Sequence, residues 1–104
     1  MINNEIDFPL TNGEKVKLTL NFKLLLKLKS NYPEEYDAFN RVVSGASREN
    51  GDFFDILSVI YAAYLCANFD NKDKYTKQEF IDLTPLNLSL ITATQNKLLG
   101  IRKN

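Results

Sequence analysis

The stretch Phe53-Phe54-Asp55-Ile56-Leu57-Ser58-Val59-Ile60-Tyr61-Ala62-Ala63-Tyr64-Leu65-Cys66-Ala67 decides the fold. Its apolar residues are not confined to one stripe. They surround the segment nearly all round, as in a helix buried at the centre of a domain. The run contains Asp55 and Ser58 and is shorter than the ~20 apolar residues of a membrane-crossing helix, so it reads as a core helix. Ala62, Ala63, Cys66 and Ala67 are small and leave room for another helix to approach closely. Asp52, with Asp55 three residues on, is placed as the helix cap in a capping-box-like arrangement.

Toward the N-terminus, Tyr32, Tyr36, Phe39 and Val43 recur at helical spacing and form one stripe. Pro33 opens that helix, and Glu34 and Glu35 follow in the first turn, where the helix dipole favours acids. Gly45 is its natural stop, and residues 45–51 form a polar loop. Asn21 is an N-cap for a short helix over residues 22–29. In this helix Lys23 and Lys27 share a face, while Leu24, Leu25, Leu26 and Leu28 cover the rest.

Residues 5–20 alternate with the period of a strand on both sides of Asn12-Gly13. A two-residue Asn-Gly loop sets Phe8 opposite Lys17 and puts the two apolar sets on opposite faces. A three-residue loop of Thr11, Asn12 and Gly13 instead pairs Phe8 with Val16 and Ile6 with Leu18, with Gly13 at the left-handed loop position. The second register is preferred. Pro9 lacks an N–H, which marks an edge strand or a bulge.

On the C-terminal side, residues 68–75 read as a loop. Thr76 and Glu79 then form a capping box for a helix ending near Leu83. Thr84-Pro85 is expected to open a last helix in the same way. Leu86, Leu88 and Leu90 alternate with Asn87 and Ser89, so helix and strand compete over residues 86–94. The run continues without a turn signal to Gly100, which favours helix. The expected architecture is mainly α and a single domain over residues 1–104. A β-hairpin (5–20) precedes a helical body (21–100) of four to five helices around the central helix 53–67.

Composition narrows the function. The chain has 104 residues, 13 basic and 13 acidic side chains, no His and one Cys. This length suits one soluble domain. A zero net charge disfavours duplex DNA or an anionic membrane as partner. One Cys allows no internal disulfide, in keeping with a reducing cytoplasm. Without His, most routes to zinc, to imidazole general bases and to Cys-His nucleophiles are closed. The start, with Asn3, Asn4, Glu5 and Asp7, is unlike a secretory leader. No internal repeat, phosphate-binding Gly-rich loop or nucleophile elbow is present in the sequence.

Other candidate sites have simpler readings. Residues 68–79 have the length and acidity of a calcium loop, but Lys72 and Asp73 occupy the fifth and sixth positions, where a ligand and Gly are needed. Glu34 and Glu35 are neighbours that do not face one another on a helix. Cys66 sits among apolar residues, unlike a reactive thiolate. Lys15, Lys17, Lys23, Lys27 and Lys29, with Arg102-Lys103 and the rings of Tyr32 and Tyr36, resemble a single-strand binding surface. The interleaved Glu14, Glu34, Glu35 and Asp37 make it a mixed-sign surface instead. No catalytic residue, cofactor or metal ligand is assigned.

The order of short motifs is more informative. A hairpin leads into Leu20-Asn21-Phe22-Lys23-Leu24-Leu25, followed by the helix start Tyr32-Pro33-Glu34. Then come Ile60-Tyr61-Ala62-Ala63-Tyr64 and Tyr75-Thr76-Lys77-Gln78-Glu79-Phe80-Ile81. Over residues 5–100 this resembles the tail assembly chaperones of long-tailed phages and prophages of Gram-positive bacteria. The resemblance implies a non-enzymatic protein of the bacterial host's cytoplasm. It would coat the helical tape measure protein before the tail tube protein polymerises, self-associate into a homo-oligomer, and have a frameshifted longer form. It implies no cofactor and no nucleic-acid or membrane partner. Partner-binding residues cannot be carried over by motif; the exposed-looking aromatics Tyr32, Tyr36, Tyr64 and Phe69 are the candidates. Another small phage structural protein, such as a head-tail connector component, is the alternative; a nucleic-acid-binding regulator and an enzyme rank below it.

Overall fold

The computed structural model describes residues 5–44 and 53–100. Strands β1 (Ile6–Pro9) and β2 (Lys15–Leu18) form an antiparallel hairpin. Phe8 pairs with Val16 and Ile6 with Leu18, the register of the three-residue loop. Gly13 takes φ +91°, a left-handed value that a side chain would oppose. The Gly13 N–H donates to the Leu10 carbonyl (3.1 Å), and the Leu10 N–H to that of Glu14 (2.8 Å). Across the ladder the Lys17 ammonium lies 2.6 Å from the Asp7 carboxylate and holds that carboxyl below its usual range. Pro9 lies in a two-stranded sheet, where every strand is an edge.

Five helices follow among the described residues: α1 (Phe22–Asn31), α2 (Pro33–Val43), α3 (Phe53–Ala67), α4 (Lys77–Leu83) and α5 (Leu88–Leu99). The Asn21 side chain caps α1 by accepting from the Leu24 N–H at 2.8 Å. That helix runs two residues past the expected end, to where Pro33 opens α2. Both halves of the Thr76–Glu79 capping box are formed at α4. The expected Asp52 cap, Gly45 stop and 45–51 loop lie outside the described residues, as do Arg102 and Lys103.

The start of the last helix differs from expectation. Thr84 does not cap it. The Thr84 hydroxyl turns back to the Phe80 carbonyl (2.7 Å), and its backbone is extended, as a residue before proline prefers. Asn87 is the cap, accepting from the Leu90 N–H (3.1 Å), so α5 begins at Leu88. Residues 88–94 are helical; their strand-like alternation comes from a helix start whose Leu88 is exposed. Gly100 ends α5 in the left-handed conformation, φ +72°.

Helix α3 is the hub. Leu57 and every residue from Val59 to Cys66 are buried, and α1, α2, α4, α5 and β2 all pack on it. Each large apolar side chain taken from water there, such as Leu57, Val59, Ile60 or Leu65, contributes about 1.5–3 kcal/mol, and the alanines contribute less. The exit of β2 is tied to α3 through the backbone: the Thr19 N–H donates to the Ala63 carbonyl at 3.2 Å. Phe80 joins the layers, its ring 4.9 Å from Tyr64, 5.6 Å from Tyr61 and 6.0 Å from Phe8. One aromatic cluster thus ties β1, α3 and α4 together.

Candidate functional site

The four candidate aromatics do not form one surface. Tyr64 is a core residue, 1% exposed, which corrects its assignment to the exterior. Its hydroxyl accepts from the Tyr75 N–H (2.9 Å), so the polar end is satisfied inside the fold. Burial on an all-round apolar helix is the physical reason. Tyr32 and Phe69 are half-buried and stack on one another with ring centres 6.2 Å apart. The Lys27 ammonium lies over the Phe69 ring at 4.7 Å. Tyr32 and Tyr64 line separate, more polar depressions. Tyr36 lines an apolar one.

That depression is an apolar groove between α1 and α2, about 530 Å³ in volume. Helix α1 lines it with Phe22, Leu25, Leu26 and Lys29; α2 lines it with Tyr36, Phe39, Asn40 and Val43. Both sets have the spacing i, i+3, i+4, i+7, one face over two turns, or about 10 Å of helix. Leu20, Leu98 and Leu99 complete the lining. The chain reverses at Tyr32, and this reversal sets the Lys29 ammonium 5.6 Å from the centre of the Tyr36 ring. Several lining residues are open to solvent although apolar: Phe22 is 91% exposed, Leu26 67% and Val43 40%. Asn21, Asn40 and Lys29 are polar side chains at its margins, and among the described residues no carboxylate lines it. Its chemistry is apolar burial with a polar, partly cationic margin.

Sequence reasoning put Tyr36, Phe39 and Val43 on one helical stripe but named only Tyr36 of them as a partner-binding candidate, and Tyr32, on the same stripe, does not line the groove. It missed the α1 half. There Leu24 and Leu28 lie among Leu25 and Leu26, and only packing separates the inward pair from the outward face. The exposed Phe22 at the helix start was the available signal.

Cys66, Tyr61 and Lys74 are ionisable groups that serve the fold. Burial pushes the Cys66 thiol up to about 12, so it stays protonated. Burial also raises the Tyr61 phenol, whose hydroxyl donates to the Tyr75 carbonyl at 2.9 Å. In the 68–75 loop the Lys74 ammonium donates to the Phe69 and Asn71 carbonyls (3.3 and 2.8 Å), so the loop's own lysine occupies oxygens facing it. Among the described residues no group of three or more acidic, Cys or His side chains is placed to hold a metal, and no helix is long and apolar enough to cross a membrane. No family model, curated protein or solved structure matches the chain.

Proposed function

We propose that this protein is a non-enzymatic assembly chaperone of a phage or prophage tail, and that the α1–α2 groove receives a helical segment of the tape measure protein. The observation that supports this reading is the pair of matched i, i+3, i+4, i+7 stripes lining an open apolar groove. An amphipathic helix buries its apolar face in such a groove through anchors of the same spacing. A tape measure protein is a long helix whose apolar stripes need cover until the tail tube protein encloses it. The resemblance in motif order over residues 5–100 supports a tape measure protein as the client, and the shape of the groove supports docking of a helix. On this reading the protein acts in the cytoplasm of the bacterial host, without cofactor, nucleic acid or membrane.

Co-expression with tape measure fragments, followed by light scattering in low and high salt, tests the proposal. A complex that persists in high salt supports apolar docking, whereas phosphate-driven binding falls steeply with salt. A chain that ignores every fragment overturns the chaperone reading and favours a head-tail connector component. Neighbouring genes give a cheap second test: an overlapping frame with a slippery site, followed by a very long tape measure gene, is expected.

A further inference from the structure

The charges around the groove are sorted along its length. The chain reverses at Tyr32, so Lys29 and Tyr36 lie at the turn end of the groove, while Phe22 and Val43 lie at the opposite end, its mouth. Helices α1, α2 and α5 line it. Helices α1 and α5 contain no acidic residue, and the acids of α2, Glu34, Glu35 and Asp37, all precede its midpoint, on the turn side. Glu35 has Lys77 3.8 Å away as its partner. Toward the mouth the same reversal sets Lys23 level with Arg41. Lys23 stands one turn from Leu26 on α1, and Arg41 adjoins Asn40 on α2; Leu26 and Asn40 both line the groove. The two cations are exposed, and among the described residues neither forms an ion pair.

We propose that the helix received by this groove is acidic at the end that lies over the mouth; the inference rests on the groove being the docking site. Carboxylates flanking the apolar stripe at that end sit between Lys23 and Arg41. The other end, beside Glu34 and Asp37, carries no acid. Packed helices lie about 10 Å apart, no more than a Debye length in about 0.1 M salt, so one carboxylate between the two rims is attracted to both cations. Two like charges without a counter-charge also repel one another, and an acid on the occupant relieves that repulsion. Apolar burial supplies most of the affinity, and charge selects the direction in which the helix lies, as complementary potentials fix register. A helix that is basic at the same place is discriminated against.

Fluorescence anisotropy on the purified full chain with labelled synthetic peptides is the experiment, and it uses no tape measure fragment. The peptides are amphipathic helices that share one Leu stripe at i, i+3, i+4 and i+7. They differ in the pair of residues flanking the last anchor of the stripe: Glu, Gln or Lys. In low salt the Glu peptide is expected to bind roughly two- to tenfold more tightly than the Gln peptide, as exposed ion pairs give, and the Lys peptide more weakly than either. The differences should shrink in about 0.5 M salt while binding persists. In the double variant Lys23→Glu, Arg41→Glu the order should reverse. Lys15→Glu with Lys72→Glu makes the same change in net charge away from the groove and should leave the order as it is. Leu26→Glu should abolish binding of all three peptides. Equal binding of the three, or an order that Lys23→Glu with Arg41→Glu leaves unchanged, overturns this inference but not the groove. Binding of none of them, or binding that ignores Leu26→Glu, overturns the groove as a helix-docking site and the inference with it.

Discussion

Single residues set the ends of the elements. Asn21, Thr76 and Asn87 each accept a backbone N–H three residues on, so their truncation exposes an unpaired donor at a helix start. Thr76→Ala should cost about 0.5–2 kcal/mol, read from the denaturant midpoint. Thr84→Ala tests the reassigned helix start in the opposite sense: it should leave the α5 cap intact, whereas Asn87→Ala should fray that helix. Cys66 belongs to this scale too. Its thiol is raised from an ordinary value near 9 to about 12 by burial. Between those values the unfolded chain has released a proton that the native chain keeps, so stability is full below pH about 9 and declines as pH rises toward 12. Equilibrium unfolding from pH 8 to 11 should show this decline, with a shallower slope in Cys66→Ala. The buried Tyr61 phenol acts in the same direction.

At the scale of elements, α3 carries the fold. Ile60 is fully buried on it, and Ile60→Ala should lower stability by about 2–5 kcal/mol through lost contacts and the cavity left behind. Phe22→Ser, at a position 91% exposed, should change it by less than about 0.5 kcal/mol. Urea midpoints of the two variants compare core and rim directly; equal effects would displace α3 from the centre. Much of this layout was legible beforehand. The all-round apolar run of residues 53–67 gave the central helix, and parity arithmetic around Asn12-Gly13 gave the hairpin register. The start of α5 was not legible, because Thr84-Pro85 and Asn87 are both sound start signals by composition. The choice between them turns on a local competition at the end of α4, where the Thr84 hydroxyl is already bonded to the Phe80 carbonyl four residues back.

The molecule as a whole arranges these elements so that one face is left apolar and open. Of the four aromatics picked out by sequence, Tyr36 reaches that face. Tyr64 is in the core, and Tyr32 and Phe69 stack on each other. Aromaticity alone does not say which ring is buried; the partner across a groove does, and that partner is set by how α1 and α2 cross. A tape measure helix is the proposed occupant of this groove. Titration calorimetry of purified tape measure fragments against the wild type and Leu26→Glu is the decisive experiment. At least one fragment is expected to bind the wild type, to stay bound in about 1 M salt, where the Debye length is about 3 Å, and to lose binding in Leu26→Glu at unchanged thermal stability. Binding of every fragment equally by both proteins, or by neither, would rule this occupant out.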